Sequence, residues 1–125
     1  MMLFHGTRTT DPKVIWGDKE ESFNINYTSD TNLLGRGIYF AQSPEYSVNY
    51  SSPCPEGKQM FCCLVLVGDS ETFNHQQLSK TIKDTNIKDT VKKIKYESNT
   101  AFLQGSNVYV VYKNRRAYPL YLITY

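Results

Sequence analysis

The sequence predicts one α+β domain: a small, mainly antiparallel β-sheet with about three short flanking helices. A continuous apolar run at residues 60–67, closed by Gly68-Asp69, is long enough for a strand buried on both faces and too short for an ordinary helix. The chain ends in two β-rich stretches, 108–112 and 117–125, joined by the polar Lys113-Asn114-Arg115-Arg116. Helix starts with proline at the first helical position occur at Asp11-Pro12 and at Ser43-Pro44. At 125 residues there is room for one core and not for two. With 40% apolar, 14% aromatic and 21% charged residues, the chain is foldable and globular, and a disordered tail, a collagen-like rod or a membrane bundle is excluded.

Each element follows in order. Residues 2–5 are a short apolar run ending at Gly6, and Val14-Ile15-Trp16-Gly17 continues the first helix to a glycine exit. Residues 18–32 are polar, with Asn24, Asn26, Ser29, Asp30 and Asn32, and predict a loop. Gly35-Arg36-Gly37 then leads into Ile38-Tyr39-Phe40-Ala41, and the glycines predict a close approach of backbone to a neighbour. Ser43-Pro44-Glu45 combines a serine cap, proline and an acidic first turn, so a helix is expected to about Tyr50. The run at 60–67 is the expected centre of the sheet, and the two C-terminal stretches are expected to pair as an antiparallel hairpin. Residues 69–95 are polar and lysine-rich, with Ile82-Lys83-Asp84-Thr85 echoed by Ile87-Lys88-Asp89-Thr90. They read as a solvated surface loop or frayed helix, with a basic rim for an acidic or nucleic-acid substrate as the other reading.

Fourteen basic against twelve acidic residues give a net charge of +2, too even to mark a dedicated nucleic-acid or anionic-membrane binder. Cys54, Cys62 and Cys63 are odd in number and suit neither a disulfide framework nor a CxxC metal site, so reduced thiols are expected. No apolar run reaches the length of a membrane span, and Met1 to His5 lacks a signal-peptide pattern. A cytoplasmic or nuclear monomer, without membrane attachment, is the expectation. Asn26-Tyr27-Thr28 and Asn49-Tyr50-Ser51 are then chance matches to a glycosylation sequon.

Taken singly, the chemistry-bearing residues say little; a histidine at a strand end is most often structural. Taken together they occur in a telling order: Leu3-Phe4-His5-Gly6-Thr7, Gly35-Arg36-Gly37-Ile38-Tyr39-Phe40-Ala41, Tyr46-Ser47 with Tyr50, the apolar strand, then Val108-Tyr109-Val110-Val111-Tyr112 and Tyr118-Pro119-Leu120-Tyr121-Leu122-Ile123. In that order and spacing they resemble the catalytic domain of the poly(ADP-ribose) polymerase family, in its diphtheria-toxin-like ADP-ribosyltransferase branch. The likeness spans nearly the whole chain. It implies a split, mainly antiparallel sheet with NAD+ bound across it as substrate. It further implies that Gly6 leaves room for the nicotinamide amide, that Thr7 offers a hydroxyl to the adenine-side ribose, and that His5 holds a ribose hydroxyl. Tyr39 and Tyr50 would stack on the two faces of nicotinamide, with Ser47 donating to its carboxamide and Ala41 beside them. Ser47 and Tyr50, three residues apart, would share a helical face; by spacing alone, Tyr46 and Tyr50 could equally be core aromatics. No metal is expected, since His75 has no neighbour at ligand spacing.

The third position of the family's His-Tyr-Glu triad falls on Val108, where no carboxylate is available. In the family that glutamate supports chain elongation, and an apolar replacement accompanies transfer of a single unit. The resemblance therefore implies a mono-ADP-ribosyltransferase that breaks the nicotinamide–ribose bond of NAD+ and modifies a protein or a terminal phosphate of nucleic acid; Glu97 is a remote candidate to replace the missing carboxylate. A catalytically inactive module binding NAD+, ADP-ribose or a protein partner, and an NAD+ glycohydrolase, are the alternatives. Residues 1–125 are expected to be one catalytic domain, shorter at its N-terminus than the family, with residues 18–32 over the NAD+ and 69–95 bordering the acceptor.

Overall fold

A computed structural model describes residues 1–18, 20–25 and 33–125. Along the chain it holds β1 (Met2–His5), α1 (Pro12–Trp16), β2 (Ile38–Ala41), α2 (Pro44–Val48), β3 (Ser52–Cys54), β4 (Gly57–Val65), β5 (Ser70–Phe73), β6 (Ile87–Asp89), β7 (Ile94–Lys95), β8 (Ser98–Leu103), β9 (Ser106–Val111) and β10 (Ala117–Thr124). The main sheet runs β10-β4-β1-β2-β9-β8-β5, with β3 against β4, and β6 and β7 form a separate two-stranded ribbon. Among the described strands of the main sheet only β5 and β8 pair in parallel. This is the α+β, mainly antiparallel architecture expected. Against the three short helices expected, the described residues include two α-helices of five residues and a 3₁₀ turn at His75–Gln77, capped by Asn74.

Alternation along the middle strands builds a core on both faces of the sheet. From β2, Ile38 and Phe40 join Leu3, Ile15, Phe23, Phe61, Cys63, Val65 and Val111 in one cluster. Ala41 faces the other way with Val108, Val110, Leu34, Ala101, Leu103 and Tyr112, and Tyr39 packs against that second cluster. The first cluster is bound by edge-to-face aromatics: Phe23 lies 5.3 Å from Phe40 at 77° and 5.7 Å from Phe61 at 78°. All three cysteines are free thiols. Burial pushes the Cys62 and Cys63 thiols above their ordinary range, which keeps them protonated and unreactive.

Several expectations are corrected. The apolar run at 60–67 does form a strand, but β4 lies next to the edge strand β10, and β2 holds the middle of the order. Its burial at Met60 and Cys62 needs no central place, because Ile123 and Tyr121 of β10 stand in register with them. The C-terminal hairpin does not form. Both edges of β9 are taken, by β2 and β8, so the chain crosses to β4 instead, and Leu66 N–H donates to the Arg116 carbonyl at 2.7 Å where β10 begins. Ser43 sits in the extended cap position of α2, yet its hydroxyl donates to the Glu45 carboxylate rather than accepting from a backbone amide, and the helix stops at Val48 instead of Tyr50. The polar stretch 69–95 contains β5, paired to β8, and the β6–β7 ribbon, so it is more ordered than a loop.

Candidate functional site

Three segments bring the expected residues to one cavity. Strand β1 delivers His5 at its end, and the chain then leaves the sheet through Gly6. A Cβ on Gly6 would run into the backbone of Tyr50 and come within 2.9 Å of Ser51 N, so only glycine lets the exit of α2 close onto β1. Strand β2 supplies Tyr39 and Ala41, and α2 with its exit supplies Tyr46, Ser47 and Tyr50. The resulting cavity of about 620 Å³ is lined by His5, Gly6, Thr7, Tyr39, Ala41, Ser47 and Tyr50, every NAD+-contact residue expected from the sequence. Its size is that of a small-molecule site.

His5 donates from Nδ1 to the Tyr39 carbonyl at 2.6 Å, since a carbonyl can only accept. Its ring lies 5.2 Å from both Phe23 and Phe40, and this apolar burial lowers its pKa below the ordinary value. The imidazole is therefore neutral, and Nε2 is left as a hydrogen-bond acceptor. Tyr39 is fixed as firmly: its hydroxyl accepts from Leu34 N–H at 2.8 Å and donates to the Gly35 carbonyl at 2.7 Å. Burial pushes this phenol above its ordinary range, so it stays uncharged. The turn that holds it is braced from behind, where Tyr112 donates to the Leu34 carbonyl at 2.6 Å and accepts from Asn99 Nδ2 at 3.0 Å. Tyr46 and Tyr50 stack 5.5 Å apart at 31°; Tyr46 both lines the cavity and packs on the core, so the two sequence readings of this pair are not exclusive.

Other expected residues stand differently. Val108 is fully buried and does not line the cavity; it lies in register beside Ala41, one strand over, in the cluster on which Tyr39 and Tyr46 rest. Glu97 lines a separate cavity of about 140 Å³ with Asp84, Lys95, Lys113 and Arg116, so it cannot supply a carboxylate to this one. The Thr7 hydroxyl donates to the Thr10 carbonyl at 2.7 Å, which leaves its oxygen free only to accept. Of the expected loop over the cavity, residues 19 and 26–32 lie outside the described residues, along with the sequon at Asn26; Phe23 and Asn24 reach the cavity wall. Arg8, Leu33, His75 and Gln104 also line it without forming part of any short motif. Phe23 was legible in principle, as an aromatic in a polar segment; His75 and Gln104 arrive only through the pairing of β5 with β8. Among the described lining residues there is no Asp or Glu.

The family model described as the poly(ADP-ribose) polymerase catalytic domain matches residues 1–108. The chain belongs to that family. It is 39% identical over 126 residues to a probable poly [ADP-ribose] polymerase of Dictyostelium discoideum, a match covering 98% of this chain and 33% of that protein. It is 31% identical over 127 residues to protein mono-ADP-ribosyltransferase PARP10 of Mus musculus, covering 98% of this chain and 12% of that protein. It is also 31% identical over 131 residues to protein mono-ADP-ribosyltransferase PARP14 of Homo sapiens, covering 98% of this chain and 7% of that protein. The chain thus spans a third or less of the length of these relatives. The family uses NAD+ as substrate.

Proposed function

We propose that this chain is a mono-ADP-ribosyltransferase, cleaving NAD+ at the nicotinamide–ribose bond and passing one ADP-ribose to a protein or nucleic-acid acceptor. The observation that carries the reading is the convergence of His5, Gly6, Thr7, Tyr39, Ala41, Ser47 and Tyr50 on one cavity. The reaction needs little from the protein beyond positioning. Nicotinamide leaves as a neutral ring and takes no proton, so no general acid is called for. The ribose left behind is oxocarbenium-like, and it is favoured by a clamp that holds the ring, a clamp that holds the sugar, and exclusion of stray water.

In this reading Tyr39 and Tyr50 hold the pyridinium, Ser47 donates to its carboxamide, and His5 Nε2 accepts a ribose hydroxyl. A neutral imidazole suits that role, and its fixed Nδ1 contact to Tyr39 O sets the ring angle. Transfer of one unit rather than a polymer is supported by Val108 at the third triad position and by the lack of a carboxylate among the described lining residues. The names of two relatives, both mono-ADP-ribosyltransferases, are consistent with this. NAD+ labelled in the adenylate, incubated with the chain and candidate acceptors, tests it. The expected result is nicotinamide release matched by single ADP-ribose adducts. Long polymers would reject the mono-transferase reading, nicotinamide without adducts would mean a glycohydrolase, and no nicotinamide under any acceptor condition would mean a binding module.

A further inference from the structure

Arg8 is the one permanently charged side chain among the described residues lining the cavity, and it has no ion-pair partner among them. Its placement is enforced. The backbone at Arg8 is left-handed, with φ of 53°, and Arg8 N–H donates to the Tyr50 carbonyl at 2.7 Å. A non-glycine residue keeps that conformation only where its surroundings impose it. The result is that the guanidinium carbon lies 4.6 Å from the centroid of the Tyr50 ring, over the ring itself. A guanidinium on a phenol face uses the same attraction, flat cation to negative ring face, that a pyridinium would use there. Two planar cations, one from the protein and one from NAD+, thus have a claim on Tyr50.

NAD+ also carries a pyrophosphate, two negative charges for which a guanidinium offers paired donors. We propose that Arg8 has two positions: it caps Tyr50 in the free protein, and when a dinucleotide enters it yields that ring to nicotinamide and pairs with the pyrophosphate. The inference rests on the NAD+ reading of the same cavity, and it makes Arg8 a contact of the ligand that the motifs do not mark.

The test separates the two halves of the dinucleotide. Titration calorimetry with nicotinamide alone and with ADP-ribose alone is run on the wild type, on Arg8→Ala and on Arg8→Gln; the last retains a planar group of similar reach without the charge. Both variants should bind nicotinamide about threefold more tightly, because the competing cation is gone. Both should bind ADP-ribose about tenfold or more weakly, with a flatter dependence on salt. Weaker nicotinamide binding in the variants, or unchanged ADP-ribose binding, would overturn the two-position assignment. If the wild type binds neither probe, the NAD+ reading itself fails; if it binds both and the variants shift neither, only the role of Arg8 fails.

Discussion

Replacing Gly6 by alanine adds one methyl group at the seam between β1 and the exit of α2. The new Cβ would fall closer to the Tyr50 backbone than real Cβ atoms ever come, and the obstacle is main chain, not a flexible side chain. The exit of α2 must therefore retreat by about 1 Å, a forced shift of the kind that costs about 1–3 kcal/mol. The retreat also strains the Arg8 N–H to Tyr50 carbonyl bond of 2.7 Å, worth about 1 kcal/mol more. A total near 3 kcal/mol in a chain of this size lowers Tm by roughly 10 °C. Because the segment that moves carries Tyr50, nicotinamide affinity should fall together with Tm. Thermal unfolding followed by calorimetric titration with nicotinamide measures both. A Gly6→Ala protein with the wild-type Tm and affinity would refute the packing argument, and a lowered Tm with unchanged affinity would refute the link between that seam and the cavity.

Three further outcomes follow from the same geometry. Since burial lowers the His5 pKa, the unfolded chain binds a proton more readily than the folded one; the stability held above pH 6.5 should decline as pH drops below that value, and this part of the slope in a Tm–pH series should vanish in His5→Gln. Tyr112→Phe removes the phenol that braces the Leu34 carbonyl, and should speed amide exchange at Leu34 and Gly35 and raise the KM for NAD+ severalfold, whereas Tyr118→Phe on the exposed face of β10 should do neither. Val108→Glu would bury an unpaired carboxylate and lose about 3–5 kcal/mol, read as collapse of Tm without any gain of polymer, while Val108→Ala should lose about 2 kcal/mol through the cavity it leaves.

How far the sequence discloses this molecule depends on how local each signal is. His5, Tyr39 and Tyr50 are legible because short motifs tie each to a strand end or helix exit, and strand ends with their glycines place them together. The strand at 60–67 is legible from its apolar run, but its place in the sheet is not, since the partners in register with Met60 and Cys62 are Ile123 and Tyr121 of β10, far along the chain. Strand β8 escapes notice because Ser98, Asn99 and Thr100 are polar yet fully or almost fully buried, each with a distant partner: Ser98 donates to the Val67 carbonyl at 2.7 Å, Thr100 meets Ser70, and Asn99 meets Tyr112. With β8 hidden, the C-terminal stretches look like a hairpin, because nothing local reveals that β9 has no free edge. Gly6 carries a different lesson: its residue type is legible, but the reason for it, contact with the Tyr50 backbone, exists only in the fold.

A structure determined with nicotinamide bound shows whether the two phenols clasp the ring. The ring should be held between the side chains of Tyr39 and Tyr50, with the Arg8 guanidinium displaced from Tyr50 and the His5 Nδ1 contact to the Tyr39 carbonyl intact. Nicotinamide bound elsewhere, or held in this cavity with Arg8 still over Tyr50, would contradict that arrangement.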